Sequence, residues 1–153
     1  MLKNRITAMR KLITAAALLL LFSDASAALF LAYPGVYPAK VVSVESANIV
    51  VLSTNVWTGY SKTFRVTLRD VEVPQDTPAA PVCQRTLAAK ALEFTQKFLS
   101  NATNVQLRDI QMEDTASKNA VAPIFTEQGS LADALKQKGL GRPPGDKPGK
   151  PWC

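Results

Sequence analysis

Residues 66–75 read Val-Thr-Leu-Arg-Asp-Val-Glu-Val-Pro-Gln, an alternating run that passes into a segment stiffened by Pro74. The alternation begins upstream. Across residues 63–71, Phe64, Val66 and Leu68 fall on one side and Arg65, Thr67 and Arg69 on the other. A period of two belongs to a strand buried on one face, so one side demands a core while the other is free to meet a ligand.

The rest of the chain can supply that core. Residues 39–44 and 49–53 are β-branched runs separated by Glu45-Ser46-Ala47-Asn48, which predicts a strand, a tight turn and a second strand. Residues 55–61, polar and containing Gly59, read as the hairpin connection to the third strand over 63–71. Beyond residue 81 the period changes. Leu87, Ala91, Phe94 and Phe98 recur at helical spacing, and Ala88, Leu92 and Leu99 widen the apolar face into a core-packing stripe that runs to residue 100. Residues 104–112 predict a fourth strand, 113–119 a polar loop and 120–126 a fifth strand, where Pro123 marks an edge or a bulge. Ser130 caps a short helix with Asp133 at its third position, Leu131 and Leu135 face inward, and Gly139 ends it. Three strands, a helix, two strands and a helix make an α+β domain, and an OB-type five-stranded barrel with packed helices is one architecture with that order.

The flanks are of different character. Residues 1–27 read as a secretory signal peptide: Lys3, Arg5, Arg10 and Lys11, an apolar run over 12–22 too short to span a bilayer comfortably, then Ala25-Ser26-Ala27 as the cleavage site. Cleavage there leaves no stable membrane anchor and a periplasmic or secreted protein. Residues 28–38, with Pro34-Gly35 and Pro38, read as an irregular lead-in, residues 39–140 as the domain, and residues 141–153 as a Pro/Gly-rich tail. Removing the signal takes four of the 18 basic residues and one of the 12 acidic ones, leaving 14 against 11. A net charge of +3 is compatible with nucleic acid without arguing for it.

Cys83 and Cys153 are an even pair in a chain that leaves the cytoplasm, which reads as one disulfide closing a loop of about 70 residues, worth ~4 kcal/mol in the chain-entropy account. The chain has no histidine. That excludes a Ser-His-Asp triad, His-ligated zinc and any imidazole general base.

Three segments, Val44-Glu45-Ser46-Ala47-Asn48-Ile49, residues 66–75, and Ala116-Ser117-Lys118-Asn119 followed by Ala122, Ile124, Phe125, Asp133-Ala134-Leu135 and Gly139-Leu140, occur in the order found in the staphylococcal nuclease (thermonuclease) family. With Pro151-Trp152-Cys153 at the end and Cys83 opening the first helix, the chain resembles secreted members of that family over residues 39–140. The resemblance implies an OB-fold-type five-stranded β-barrel with packed α-helices. It also implies calcium-dependent phosphodiester hydrolysis, in which two aspartates hold the ion, a glutamate attends the attacking water and two arginines clamp the phosphate.

All five of those positions differ here. The aligned residues are Ala47 and Glu72 for the metal ligands, Gln75 for the glutamate, and Thr67 and Asn119 for the arginines. Glu72 alone keeps a charge. Losing one donor to transition-state charge costs ~10²- to 10³-fold in rate, so the expectation is a thermonuclease-like domain that needs no cofactor and acts as a binding module for nucleic acid or for a protein partner. Trp57 and Tyr60, with Arg65 and Arg69 expected near the same end, are the candidate contacts, and Arg65 and Arg69 the candidate anion site. Two alternatives remain open: a working nuclease with a rearranged calcium site using Glu72, Glu45 or Asp70 beside Arg65 or Arg69, and a structural component of a cell-envelope complex.

Overall fold

The alternation around Phe64 forms the strand it demands. In the computed structural model, which describes residues 31–146 and 151–153, Phe64, Val66 and Leu68 are each 3% exposed or less while Arg65 faces outward. The elements run β1 (Leu31–Ser46), β2 (Ile49–Trp57), β3 (Tyr60–Leu68), α1 (Val82–Ser100), β4 (Val105–Met112), β5 (Asn119–Ala122), β6 (Ile124–Thr126), β7 (Gly129–Ser130) and α2 (Leu131–Gln137). The signal peptide expected over residues 1–27 lies outside the described residues.

Strand β1 is long enough to serve two partners. Its first half pairs antiparallel with β4 and its second half with β2, and Ala39 sits at the changeover, opposite both Val105 and Thr54. Strand β3 pairs antiparallel with β2 and parallel with β5, which also meets β4, so five strands close into a ring in the order β1-β2-β3-β5-β4. Strands β6 and β7 continue from β4. The result is an α+β fold with a closed five-stranded ring and, among the described residues, two helices. Leu52, Phe64, Leu107, Ile110, Ile124, Leu131 and Leu135 are all essentially fully buried within it. At roughly 1.5–3 kcal/mol for each large apolar side chain removed from water, that cluster is the main source of stability.

Four boundaries differ from expectation. The lead-in expected over residues 28–38 is strand from Leu31 onward. Its Pro34-Gly35 pair is absorbed as a bulge between Tyr33 and Val36, where Asp109 Oδ1 accepts the Gly35 N–H at 2.9 Å. The hairpin connection expected over 55–61 shrinks to Thr58-Gly59, with Gly59 at φ 79°, and both strands extend to meet it. The third strand stops at Leu68 because Asp70 adopts φ 67° and turns the chain. The fifth strand breaks at Pro123, which splits it into β5 on β3 and β6 on β4.

Helix α1 packs on the ring through Ala88, Ala91, Thr95, Phe98 and Leu99. Thr95 is fully buried, and its hydroxyl donates to the Ala47 carbonyl at 2.9 Å, which ties the helix to the β1–β2 turn. Helix α2 begins and ends as its sequence predicts. The Ser130 hydroxyl accepts the Asp133 N–H, and the N–H groups of Gly139 and Leu140 close back on Lys136 and Leu135 with Gly139 at φ 67°. No helix among the described residues is long and apolar enough to cross a membrane.

Candidate functional site

Glu72 follows the Asp70 turn, and its backbone and carboxylate are both engaged by the C-terminal tail. Its N–H donates to the Arg142 carbonyl at 2.8 Å and the Arg142 N–H returns the bond at 2.9 Å, a short antiparallel bridge. Arg142 Nε donates to Glu72 Oε2 at 3.1 Å, and the Gly145 N–H donates to Oε1 at 3.0 Å. The Arg142 guanidinium in turn lies 4.3 Å above the Trp152 ring, and the next residue, Cys153, is disulfide-bonded to Cys83 at the start of α1. The expected disulfide is present. The described residues of the tail are therefore a strap fastened at Arg142, Gly145 and Trp152 as well as at Cys153.

The Gly145 N–H and then the Arg142 guanidinium hold the Glu72 carboxyl below its ordinary value. Gly141 makes the strap possible. A Cβ built there would come within 2.5 Å of Val71 Cγ2, 3.2 Å of the Glu72 carbonyl oxygen and 3.3 Å of Leu135 Cβ, so only glycine lets the chain pass so closely.

The remaining aligned positions are distributed differently. Ala47 is buried in the β1–β2 turn beneath Thr95. Gln75 Nε2 donates to the Val73 carbonyl at 3.1 Å, and the Gln75 carbonyl accepts from Gln84 Nε2 at 3.0 Å, so this side chain is folded back on its own loop. Thr67 and Asn119 do come together, on adjacent strands, and line a shallow depression of about 90 Å³ with Gln111 and Glu113. Neither Ala47, Glu72 nor Gln75 lines it. Calcium needs several oxygen ligands, whereas Ala47 offers no side-chain oxygen and the Glu72 oxygens are committed to the tail. No group of three or more His, Cys, Asp or Glu that could hold a metal ion occurs among the described residues. The residues present do not fit the calcium site that the resemblance implies.

Arg65 and Arg69 each face a carboxylate. Arg65 Nε lies 2.6 Å from Glu45 Oε2, and Arg69 Nε lies 3.5 Å from Asp70 Oδ2. Arg69 also borders a depression of about 310 Å³ that contains Asp70, Asp109 and Asp133 against Arg69 and Arg108. An incoming phosphate would meet more negative than positive charge there. Arg108 Cζ lies 3.9 Å from the centre of the Phe125 ring, and its Nε is buried without a hydrogen-bond partner.

Trp57 and Tyr60 occupy the other end of β3. The expectation that they share an end with Arg69 is corrected by the strand itself, since eight steps of ~3.3 Å from Tyr60 to Leu68 span about 26 Å. The two rings stack, with centroids 4.3 Å apart and planes 9° apart, yet they remain 58% and 44% exposed. Pairing of β2 with β1 stops at Thr54, and pairing of β3 with β5 starts at Arg65, so residues 55–61 pair only with each other. They form a two-stranded ribbon that extends past the ring.

Sequence reasoning missed Lys62 at the root of this ribbon. Its Nζ stands 5.0 Å from the centre of the Phe64 ring and donates to the Thr115 carbonyl at 2.6 Å. The alternation that put Phe64 inside also puts Lys62 on that face, so the signal was present. Arg142 and Gly145 were missed as well, because nothing local in a Pro/Gly-rich segment points to Glu72, 70 and 73 residues away, and with them the contact of Trp152 with Arg142. No protein-family model matches the chain, and no curated protein matches it.

Proposed function

We propose that the chain is a thermonuclease-like barrel of the OB type that does not hydrolyse phosphodiesters and serves as a binding module outside the cytoplasm. One observation carries this reading: the carboxylate of Glu72, the aligned position that keeps its charge, is held by Arg142 and Gly145 of the tail. A carboxylate that accepts an ion pair and a backbone N–H is already neutralised, and converting it to a metal ligand would first require lifting the strap. The order of elements and the closed ring are consistent with the barrel, and the Cys83–Cys153 disulfide suits an oxidising compartment.

The test is calcium calorimetry on the exported, purified chain, with DNA and RNA cleavage followed in the same buffer. No heat of calcium binding and intact substrates are expected. Calcium-dependent cleavage would replace this reading with that of a nuclease built on a rearranged site. Sequencing the exported chain from its N-terminus checks the compartment, with Ala28 expected first.

A further inference from the structure

The Trp57–Tyr60 stack has a structural role as a cross-strand aromatic pair closing a hairpin, but that role does not require either ring to stay in water. The two stacked rings nonetheless keep about half of their surface in water. Beside them are two adjoining depressions. One, of about 110 Å³, is walled by Tyr33, Trp57, Tyr60, Phe64 and Met112, with Lys62 at its edge. The second, of about 470 Å³, shares Tyr60, Lys62 and Thr115 with the first and adds Lys118. A third, of about 510 Å³, meets the second at Ser61 but opens on the other face of the sheet, where Lys40 lies opposite Ser53 and Ser53 opposite Thr63.

No Asp or Glu lines any of the three, although the depression at Arg69 holds three acids. The ribbon end thus combines an exposed aromatic pair, an apolar notch, and two lysines bordering depressions that no carboxylate lines. Alternating planar apolar groups and fixed negative charges are the chemistry of a single-stranded nucleic acid, whose bases stack on aromatic side chains while its phosphates follow lysines. A duplex hides its base faces. A peptide of Asp and Glu alone would satisfy the lysines but brings no ring to the stacked pair.

We propose that the β2–β3 ribbon, through Trp57 and Tyr60 with Lys62 and Lys118 beside them, binds single-stranded nucleic acid, with bases on the aromatic pair and phosphates at the lysines. The proposal rests on the reading of the chain as a binding module. It places the ligand at the ribbon end, away from the positions aligned with the nuclease site.

The experiment is fluorescence anisotropy of a labelled oligothymidylate titrated with the exported, purified chain in chelator, with the oligonucleotide recovered and checked for integrity. Binding is expected to weaken with salt at a log–log slope near −1.4, about −0.7 for each of two lysines neutralising a phosphate. Trp57→Ala should weaken it roughly tenfold, as loss of one stacked base does, and Lys118→Ala should flatten the slope. A matched duplex should bind at least several-fold more weakly. Should Trp57→Ala fail to fold by circular dichroism, the Trp152→Phe protein, which leaves Trp57 as its one tryptophan, reports instead through quenching of its emission by the oligonucleotide.

No binding, binding indifferent to Trp57→Ala, no quenching, or equal affinity for duplex each overturns the proposal. So does polyglutamate binding of equal strength and equal dependence on Trp57, which would make the ribbon a protein-docking site. Repeating the titration with calcium separates the two readings. Cleavage there would end the non-catalytic reading and leave the ribbon result standing, whereas failure to bind an intact oligonucleotide removes the ribbon proposal alone.

Discussion

The chain's two tryptophans sit in opposite circumstances. Trp152 lies under Arg142, next to a disulfide and one contact away from the Glu72 carboxylate, so its face is used by the protein itself. Trp57 stacks on Tyr60 at the end of a ribbon and stays more than half exposed. Aromatic rings and cations occur at both ends. What differs is the carboxylate: Glu72 completes the first group internally, while the depressions around the second contain none. A cation and an aromatic closed by an acid make a fastening, and the same pair without one makes a surface for an anion.

Opening the fastening should have the largest effect. Cys83→Ser frees a loop of 70 residues and is expected to cost about 4 kcal/mol in denaturant unfolding. In a Trp57→Phe background the emission of Trp152 should also shift to the red as it meets water. A full-strength Cys83→Ser protein with unmoved Trp152 emission would mean that the non-covalent contacts hold the strap alone. Gly141→Ala comes next, because its Cβ would collide with Val71. Forcing a methyl into such a contact costs about 1–3 kcal/mol, read as a lowered melting temperature, and a neutral substitution would show that the strap does not pass as closely as its geometry demands.

Acid should undo the same contact through Glu72. Its folded-state pKa is lowered, so its contribution is complete above the ordinary value of 4.5 and is lost as pH falls through the lowered one. Melting curves of the wild type and Glu72→Gln should therefore differ at neutral pH and converge as pH drops below that range. A gap that persists in acid would mean that the carboxylate charge is not what holds Arg142 and Gly145. The smallest change is expected at the other end, where Trp57→Ala should cost under about 1 kcal/mol, the worth of one cross-strand aromatic pair. A much larger loss would make the ribbon part of the core and weaken its standing as a binding surface.

Features set by neighbouring residues were legible in the sequence. The cap at Ser130, the glycine end at Gly139 and the inward side of β3 all depend on residues within a turn or two of one another. The missed elements depended on distant partners. Pro34-Gly35 reads as a loop until Asp109 reaches across to accept the Gly35 N–H, and a Pro/Gly-rich tail reads as loose until Arg142 pairs with Glu72. Among the candidate site residues, the uncharged character of Ala47, Thr67, Gln75 and Asn119 could be read directly. That only Thr67 and Asn119 share a depression could not.

By itself the sequence determined the strand and helix periods, the absence of imidazole chemistry and the cysteine pair, because each is a property of residue type or short spacing. Tertiary structure decided what Glu72 is for and which aromatic pair stays in water. Both depend on which distant group arrives within hydrogen-bonding or stacking range, and only ring closure and the path of the tail bring those groups there.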